Sequence, residues 1–126
     1  MNDESIPDLK HRTKEFALRV VKLFSALPKS TEAQVIGKQI LRSGTSVGAQ
    51  YREACRARSS AEFVSKMQSG LQELDETSYW LELLVEGNLV KAERLQSLQD
   101  EANQLTAIFV ASVKTAKTRE KMNCGS

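Results

Sequence analysis

Apolar residues recur every three or four positions along most of the chain, which is the spacing that one buried face of an α-helix requires. The first stripe consists of Leu9, Thr13, Phe16, Val20, Leu23 and Leu27. The second consists of Ile36, Ile40, Ser43, Val47, Tyr51 and Ala54. The third consists of Phe63, Met67, Leu71, Leu74, Ser78, Leu81 and Val85. The fourth consists of Leu98, Ala102, Leu105, Phe109 and Val113. These stripes predict four amphipathic helices.

Short sequence signals place the ends of these helices. Pro7 suits a first helical turn, and Leu27-Pro28 ends the first helix because the residue before proline disfavours helix. The segments Thr31–Gln34 and Ser59–Glu62 have the capping-box pattern that starts a helix. Gly87-Asn88 is typical of a helix C-terminus. The predicted helices cover about residues 7–26, 31–56, 60–86 and 90–118.

The connections between the predicted helices are short, so neighbouring helices must run antiparallel. The chain has 126 residues, the size of one domain, and only two prolines, which favours helices over a turn-rich β fold. We therefore predict an all-α, antiparallel up-down four-helix bundle that forms a single domain over residues 1–126.

Charge is distributed unevenly along the chain, although its net value is only +2. Residues 31–66 contain six Lys/Arg and three Asp/Glu, whereas residues 67–101 contain two Lys/Arg and eight Asp/Glu. Residues 114–121 are basic again. This distribution indicates one positively charged face rather than a uniformly basic protein.

The start of the chain, Met1-Asn2-Asp3-Glu4, differs from the basic start of a signal peptide. No apolar run approaches the length that spans a membrane. We therefore expect a cytoplasmic protein with no membrane partner.

Three glycines, Gly37, Gly44 and Gly48, fall near one another around the second predicted helix. Each glycine inside a helix costs about 1 kcal/mol relative to alanine, so a close contact with another helix must compensate. We assign the three to a tight helix–helix contact at an oligomer interface. A helix-turn-helix with its turn at Ser43-Gly44-Thr45 is the alternative, although the apolar stripe keeps its phase across that point.

Basic residues line the other side of the same helix. Lys38, Arg42, Arg52 and Arg56 lie within about 80° of one another on a helical wheel, and Arg58 extends the line into the next turn. The planar guanidinium of arginine suits bidentate contacts with phosphate or carboxylate groups. These residues are therefore candidate nucleic-acid contacts. Alternatively they are a solvated face, or they form ion pairs, for example with the acidic third helix of a neighbouring subunit.

Tyr79, Trp80 and Leu83 point away from the predicted core stripe of the third helix. Adjoining exposed aromatic and aliphatic side chains usually mark a protein contact. We therefore assign them to an oligomer interface, unless the third helix buries two faces within the bundle.

The sequence contains few of the residues that catalysis requires. It has one histidine, His11, and its two cysteines, Cys55 and Cys124, match no metal-binding or redox spacing. Phosphate-binding glycine loops and a serine with a nearby base are missing as well. We expect neither an enzyme nor a cofactor, a metal ion or a small-molecule substrate, and we expect Cys55 to be a small buried hydrophobe.

The segment Leu41–Ala54 reads LRSGTSVGAQYREA, and Arg56–Ser59, Ala61–Phe63 and Glu76–Leu84 follow it. With these motifs the chain closely resembles the bacterial four-helix-bundle family that is also called the 23S ribosomal RNA intervening-sequence protein family. The resemblance extends from Phe16 to the last helix.

This resemblance implies an up-down four-helix bundle that assembles into a homo-oligomeric ring, typically a pentamer. Some members of the family are encoded within insertions in large-subunit ribosomal RNA genes. A related branch resembles the accessory variability determinant of diversity-generating retroelements, a pentamer that binds reverse transcriptase and its RNA through a basic surface. The family offers no catalytic residues, and Arg42, Arg52, Arg56 and Arg58 match as candidate nucleic-acid contacts.

Three hypotheses follow from the sequence. The first is a non-enzymatic, oligomeric accessory protein that binds structured RNA or a ribonucleoprotein partner through the basic face of the second helix. The second is a purely structural or adaptor ring that does not bind nucleic acid. The third is a helix-turn-helix protein that binds DNA.

Overall fold

The chain folds into four α-helices in a computed structural model that describes the backbone of residues 8–125 and the side chains of residues 8–122. The helices are α1 (Leu9–Ala26), α2 (Thr31–Cys55), α3 (Ser60–Glu86) and α4 (Ala92–Gly125). Over this range the chain is all-α and contains no strand, and none of its helices has a stretch long and apolar enough to span a membrane. The sequence placed the helix ends within about two residues, except that α4 continues to Gly125 instead of ending near residue 118. Pro7, which we expected in the first turn of α1, lies outside the described residues.

Serine side chains cap the first turns of α2 and α3. Ser59 caps α3 as predicted, and its hydroxyl accepts the backbone N–H of Glu62 at 3.1 Å. The predicted cap of α2 was displaced by one residue, because Ser30 is extended and accepts the capping hydrogen bond while Thr31 is already helical. Gln34 does not complete a capping box, since its side chain donates to the carbonyl of Pro28 at 2.8 Å.

The C-terminus of α3 stops at Gly87-Asn88, as predicted. Asn88 has a φ of 60°, and it is therefore the residue that adopts the left-handed conformation in place of the glycine. The backbone N–H of Gly87 donates to the carbonyl of Leu83, and that of Leu89 donates to the carbonyl of Leu84, both at 2.9 Å. These bonds satisfy the last carbonyls of α3 and turn the chain toward α4.

Each helix packs antiparallel against the next one along the chain, and α1 and α4 make the fewest contacts of the packed pairs. Val20 of α1 lies against Gly44, next to Ser43, which in turn lies opposite Thr77 of α3. Gly70 of α3 lies against Phe109 of α4. These contacts fix the register of all four helices.

The core agrees with the predicted stripe on α4 and largely on α1 and α2, where Leu23, Ile36 and Tyr51 are only half-buried, and it differs on α3. All five residues predicted for α4 are buried. On α3, Phe63 and Ser78 are only half-buried, whereas Val64, Thr77 and Leu84 are buried. The reason is that apolar residues cover a wide sector of α3, so that more than one stripe fits its sequence and the buried one is displaced from the predicted one.

A buried pair of hydroxyl groups joins α2 to α3. Ser43 Oγ and Thr77 Oγ1 lie 2.7 Å apart, and Thr77 Oγ1 donates to the carbonyl of Glu73 at 2.8 Å, so Ser43 is the donor within the pair. Both side chains are fully buried. A buried hydroxyl that loses its partner is costly, whereas removing both polar groups is nearly neutral.

We therefore expect Thr77→Val to lower the free energy of unfolding by about 1–2 kcal/mol. Adding Ser43→Ala to that variant should recover most of the loss, because no unpaired donor then remains. Urea unfolding at one fixed protein concentration measures both effects. Ser43→Ala alone completes the comparison, and a double variant whose loss equals the sum of the two single losses would contradict the assignment of the pair.

Candidate nucleic-acid interface

The second helix is continuous through Ser43-Gly44-Thr45. Residues Thr31–Cys55 form one α-helix, and the Thr45 hydroxyl donates to the carbonyl of Leu41 one turn earlier at 2.7 Å. The helix-turn-helix hypothesis is therefore wrong for this chain, because the turn on which it depends does not exist. The glycine at the centre of the supposed turn has a different role.

Gly37, Gly44 and Gly48 face α1 of the same chain. A Cβ atom on Gly37 would lie 2.5 Å from Leu27 Cδ1, and one on Gly44 would lie 2.7 Å from Val20 Cγ2. On Gly48 it would lie 3.2 Å from Thr13 Oγ1. The tight helix–helix contact is thus made within the chain. The assignment of these glycines to an oligomer interface is corrected, since α1 covers them and both Gly37 and Gly44 are buried.

Arg42 is held by two carboxylates of its own chain. Its Nη1 lies 3.3 Å from Glu73 Oε1, and its Nη2 pairs with Glu76 Oε1. Since both acidic residues belong to α3, this arginine connects α2 to α3 on the outside of the bundle. Of the five predicted nucleic-acid contacts, Arg42 is the one already engaged in ion pairs.

Lys38, Arg52, Arg56 and Arg58 are exposed, and none of them pairs with a carboxylate of residues 8–122. Lys38 is separated from Arg52 by about 21 Å along the axis, at 1.5 Å per residue. The structure therefore does not bring the whole predicted line together. Arg52, Arg56 and Arg58 form its compact part, at the C-terminal end of α2.

The acidic residue within this compact part is already paired. Glu53 Oε1 accepts from Lys66 Nζ of α3 at 2.7 Å, and this hydrogen bond is the main cause of the raised pKa of Lys66. Tyr51 fixes the same stretch of α2 on the core side, where its ring lies 6.0 Å from that of Phe109. Burial, followed by the effect of the neighbouring Cys55, raises the pKa of Tyr51 to about 12, so its hydroxyl is neutral near pH 7.

The antiparallel register collects basic residues from three distant segments into one half of the bundle. We call residues 8–15, 47–72 and 106–122 the basic half, because the packing register places them at the same end of the molecule. It contains eleven Lys/Arg and five Asp/Glu, a net charge of +6, which becomes +5 when Glu101, the ion-pair partner of Arg12 at 2.6 Å, is counted with it. The remaining described residues, 16–46 and 73–105, contain seven Lys/Arg and nine Asp/Glu, a net charge of −2.

Several basic residues of this half were not among the predicted contacts. The residues Lys10 and Lys14 begin α1, level with the end of α2 because Thr13 packs on Gly48. The others belong to the C-terminal part of α4, and all of them are exposed: Lys114, Lys117, Arg119 and Lys121. The sequence showed a basic segment over residues 114–121, but only the register shows that it lies at the same end as Arg52.

The predicted aromatic cluster lies on the outer side of α3. Tyr79 is 54% exposed, and its ring meets that of Trp80 edge-on with centroids 5.0 Å apart. Trp80 packs partly against the core, so it points outward less than we predicted. Its indole N–H is nevertheless buried without a hydrogen-bond partner in the described part of the chain. Leu83 is half-buried, and its role in an oligomer interface, like that of Tyr79 and Trp80, stays a prediction.

Cys55 is exposed, which corrects the prediction that it is a buried hydrophobe. It is the last residue of α2 and lies level with the first residues of α1, where α1 does not cover α2. Among the residues whose side chains are described, no group of three or more His, Cys, Asp or Glu could hold a metal ion. The side chain of Cys124 lies outside that range.

Comparison with known proteins places this geometry in a family. The model of the family described as "23S rRNA-intervening sequence protein" matches residues 8–111. The chain belongs to that family. A crystal structure at 1.70 Å resolution from Bacteroides thetaiotaomicron VPI-5482, described as a protein with unknown function from the S23 ribosomal protein family, is similar in fold and sequence. The two chains are 39% identical with a TM-score of 0.79, over 84% of this chain and 95% of the other. No curated protein matches the sequence.

Proposed function

We propose that this member of the 23S rRNA-intervening sequence protein family is a non-enzymatic, cytoplasmic, homo-oligomeric accessory protein that binds structured RNA. The RNA contacts lie in the basic half of the bundle and centre on Arg52, Arg56 and Arg58. Lys10, Lys14 and the C-terminal part of α4 extend this surface.

The observation that carries the proposal is the separation of charge between the two ends of the bundle. A net charge of +6 at one end, against −2 at the other, creates a local positive potential that the total of +2 conceals. Polyanion binding depends on the local density of cations and not on the net charge of the chain. The near-neutral total therefore does not oppose RNA binding.

The state of the arginines supports the same proposal. Arg52, Arg56 and Arg58 are exposed and make no ion pair with residues 8–122, while the intervening Glu53 is occupied by Lys66. Phosphates can therefore reach these arginines without first displacing a carboxylate. The family name, which refers to intervening sequences of 23S rRNA, makes a ribosomal RNA stem-loop the appropriate first probe.

The oligomeric part of the proposal is supported by exposed apolar side chains outside the basic half. Val35 on α2 is 56% exposed and Tyr79 on α3 is 54% exposed, and Leu83 and Trp80 adjoin Tyr79. Exposed aromatic and aliphatic groups at adjoining positions favour a protein contact. The family resemblance favours a ring, with five subunits as the first expectation.

The salt dependence of RNA binding tests the proposal. We expect a labelled RNA stem-loop to bind with a log–log salt slope of about −3 or steeper, because each phosphate contact contributes nearly one unit. Fluorescence anisotropy titrations at several salt concentrations measure this slope. A single-stranded RNA of equal length shows whether the helical form is preferred. Affinity that is absent at low salt, or that does not respond to salt, would contradict RNA binding.

The second proposal is an adaptor ring that does not bind nucleic acid. The pairing of Arg42 with Glu73 and Glu76 favours this proposal, because it shows that carboxylates of α3 can form ion pairs with arginines of α2. In that case the native mass of the purified protein should be oligomeric, free of nucleic acid, and unchanged by ribonuclease. Salt-sensitive RNA binding would decide against it.

A further inference from the structure

A groove between α1 and α4 differs in character from the rest of the surface. It has a volume of about 530 Å³ and lies where the two helices make few contacts, beside the connection from α3 to α4. Its floor is apolar and includes Leu23, Leu89 and Leu95. Three basic residues, Arg19, Lys22 and Arg94, line it, and it contains no acidic residue. Such a surface fits an occupant with apolar side chains surrounded by carboxylates.

The outer face of α3 has that complementary composition. Tyr79 and Leu83 lie at its centre, and acidic residues flank them at helical spacing. These acidic residues are Asp75, Glu76, Glu82 and Glu86. The face contains no Lys or Arg between Asp75 and Glu86. Its apolar centre and acidic border therefore match the apolar floor and basic border of the groove.

The two surfaces lie on different sides of the bundle at the same level along its axis. The outer face of α3 lies next to α2. Trp80, which adjoins this face, follows Glu73 by two turns and Glu76 by one turn, so it lies on the side of α3 where those two residues pair with Arg42 of α2. The α1–α4 groove is on the far side of the bundle from α2 and α3. The groove and the outer face of α3 lie at the same level along the bundle axis. Val20 and Leu27 of α1 pack against one part of α2, and the same part of α2 faces Thr77 and the following turns of α3.

We propose that the α1–α4 groove of one subunit receives the outer face of α3 from a second copy of this chain. This inference rests on the proposed homo-oligomer and identifies its two contacting surfaces. Because the surfaces differ, the contact is heterologous, and repeating it generates either a closed ring or a filament. Their common level along the axis keeps the subunits unshifted from one copy to the next, which favours closure into a ring.

In this arrangement Tyr79 and Leu83 cover the leucines of the groove floor, while Asp75 and Glu82, which lie nearer in level, meet Arg19 and Arg94. Like-charge contacts across an interface are strongly unfavourable, so reversing the charge of either surface should prevent assembly. Reversing both surfaces in one chain restores opposite charges at the four exchanged positions. Charge reversal therefore tests the pairing itself and not only the importance of each residue.

The experiment compares three variants with the wild-type chain by native mass spectrometry and sedimentation equilibrium. Arg19→Glu with Arg94→Glu should weaken assembly about 100-fold, and Asp75→Arg with Glu82→Arg should do the same. The chain with all four substitutions should assemble as the wild type does. Lys10→Glu with Lys14→Glu is the matched control for the first pair, since it lowers the net charge by the same amount but lies outside both surfaces, and it should leave the oligomer intact. Circular dichroism confirms that each variant is folded.

The outcomes separate this inference from the proposed function. Dissociation by either pair of substitutions, with recovery in the fourfold variant, supports the pairing of the two surfaces. An oligomer that survives both pairs, or that is not restored in the fourfold variant, overturns it while leaving oligomerisation and RNA binding in place. A wild-type chain that is monomeric at every concentration overturns the homo-oligomer and this inference together.

Discussion

Arg52→Glu combined with Arg56→Glu should weaken the binding of a structured RNA by on the order of 100-fold at about 0.1 M salt, and should reduce the salt slope by about two. Two cations are lost from the compact part of the basic surface, and two carboxylates repel the phosphates in their place. Both side chains are exposed at the end of α2, so the fold should be unaffected. Anisotropy titrations with a labelled stem-loop measure the affinity and the slope together.

A matched variant distinguishes a local site from a general effect of charge. Lys29→Glu with Lys91→Glu changes the net charge by the same amount, but both residues are exposed at the opposite end of the bundle. We expect this control to weaken binding only slightly, because its charges are far from the contact and are screened by salt. Equal losses in the two variants would argue against a defined site around Arg52.

Gly44→Leu should lower the free energy of unfolding by about 3 kcal/mol. Even a Cβ atom on Gly44 would lie 2.7 Å from Val20 Cγ2, so that a longer side chain must push α1 away from α2. Gly44→Ala should also be destabilising, though less so, because alanine recovers about 1 kcal/mol of helix propensity. Urea unfolding at constant protein concentration gives both values.

Two comparisons show whether the contact with α1 causes the loss of stability in the Gly44 variants. Val20→Ala removes the atoms closest to Gly44, so it should reduce the additional loss caused by Gly44→Ala in a double-mutant cycle. Gly48→Ala should have a smaller effect, since the nearest atom there, Thr13 Oγ1, would be 3.2 Å from the new Cβ. Stabilisation by Gly44→Ala, as helix propensity alone predicts, would show that α1 is not held so closely.

The four helices could be predicted from the sequence because their ends depend on local chemistry. Ser59 caps α3 through the hydrogen bond that its sequence pattern predicts, and Leu27-Pro28 and Gly87-Asn88 stop the helices before them. The core side of α3 was harder to predict. Apolar residues cover a wide sector of α3, so more than one stripe fits its sequence. The predicted stripe, which included Ser78, was displaced from the buried Thr77.

The candidate site could be predicted only in part, for a different reason. Arg52 and Arg56 were found because residues on one helix share a face at known spacing. Lys10 and Arg119 come from other helices, and their position at the same end of the bundle as the arginines depends on the register of packing, which no local pattern contains. Arg42 matched the line equally well, but its pairing with Glu73 and Glu76 depends on where α3 lies.

The glycines of α2 show the same division. Their spacing correctly predicted a close approach of another helix, but the sequence could not identify the helix that approaches. The structure assigns this role to α1 of the same chain, since Val20 lies against Gly44 and Leu27 lies against Gly37. A close approach of another helix requires small residues whether that helix belongs to the same chain or to another subunit, so the sequence pattern is the same in both cases.

The separation of charge along the bundle has a consequence for an assembled protein. In the proposed ring the subunits are related by rotation without a shift along their axes, so every basic half lies on the same rim. One RNA with several helical arms could then contact several subunits at once, and each further contact would form at a high effective concentration. Modest affinity at a single subunit would become strong avidity for a large folded RNA, while short RNAs would dissociate readily.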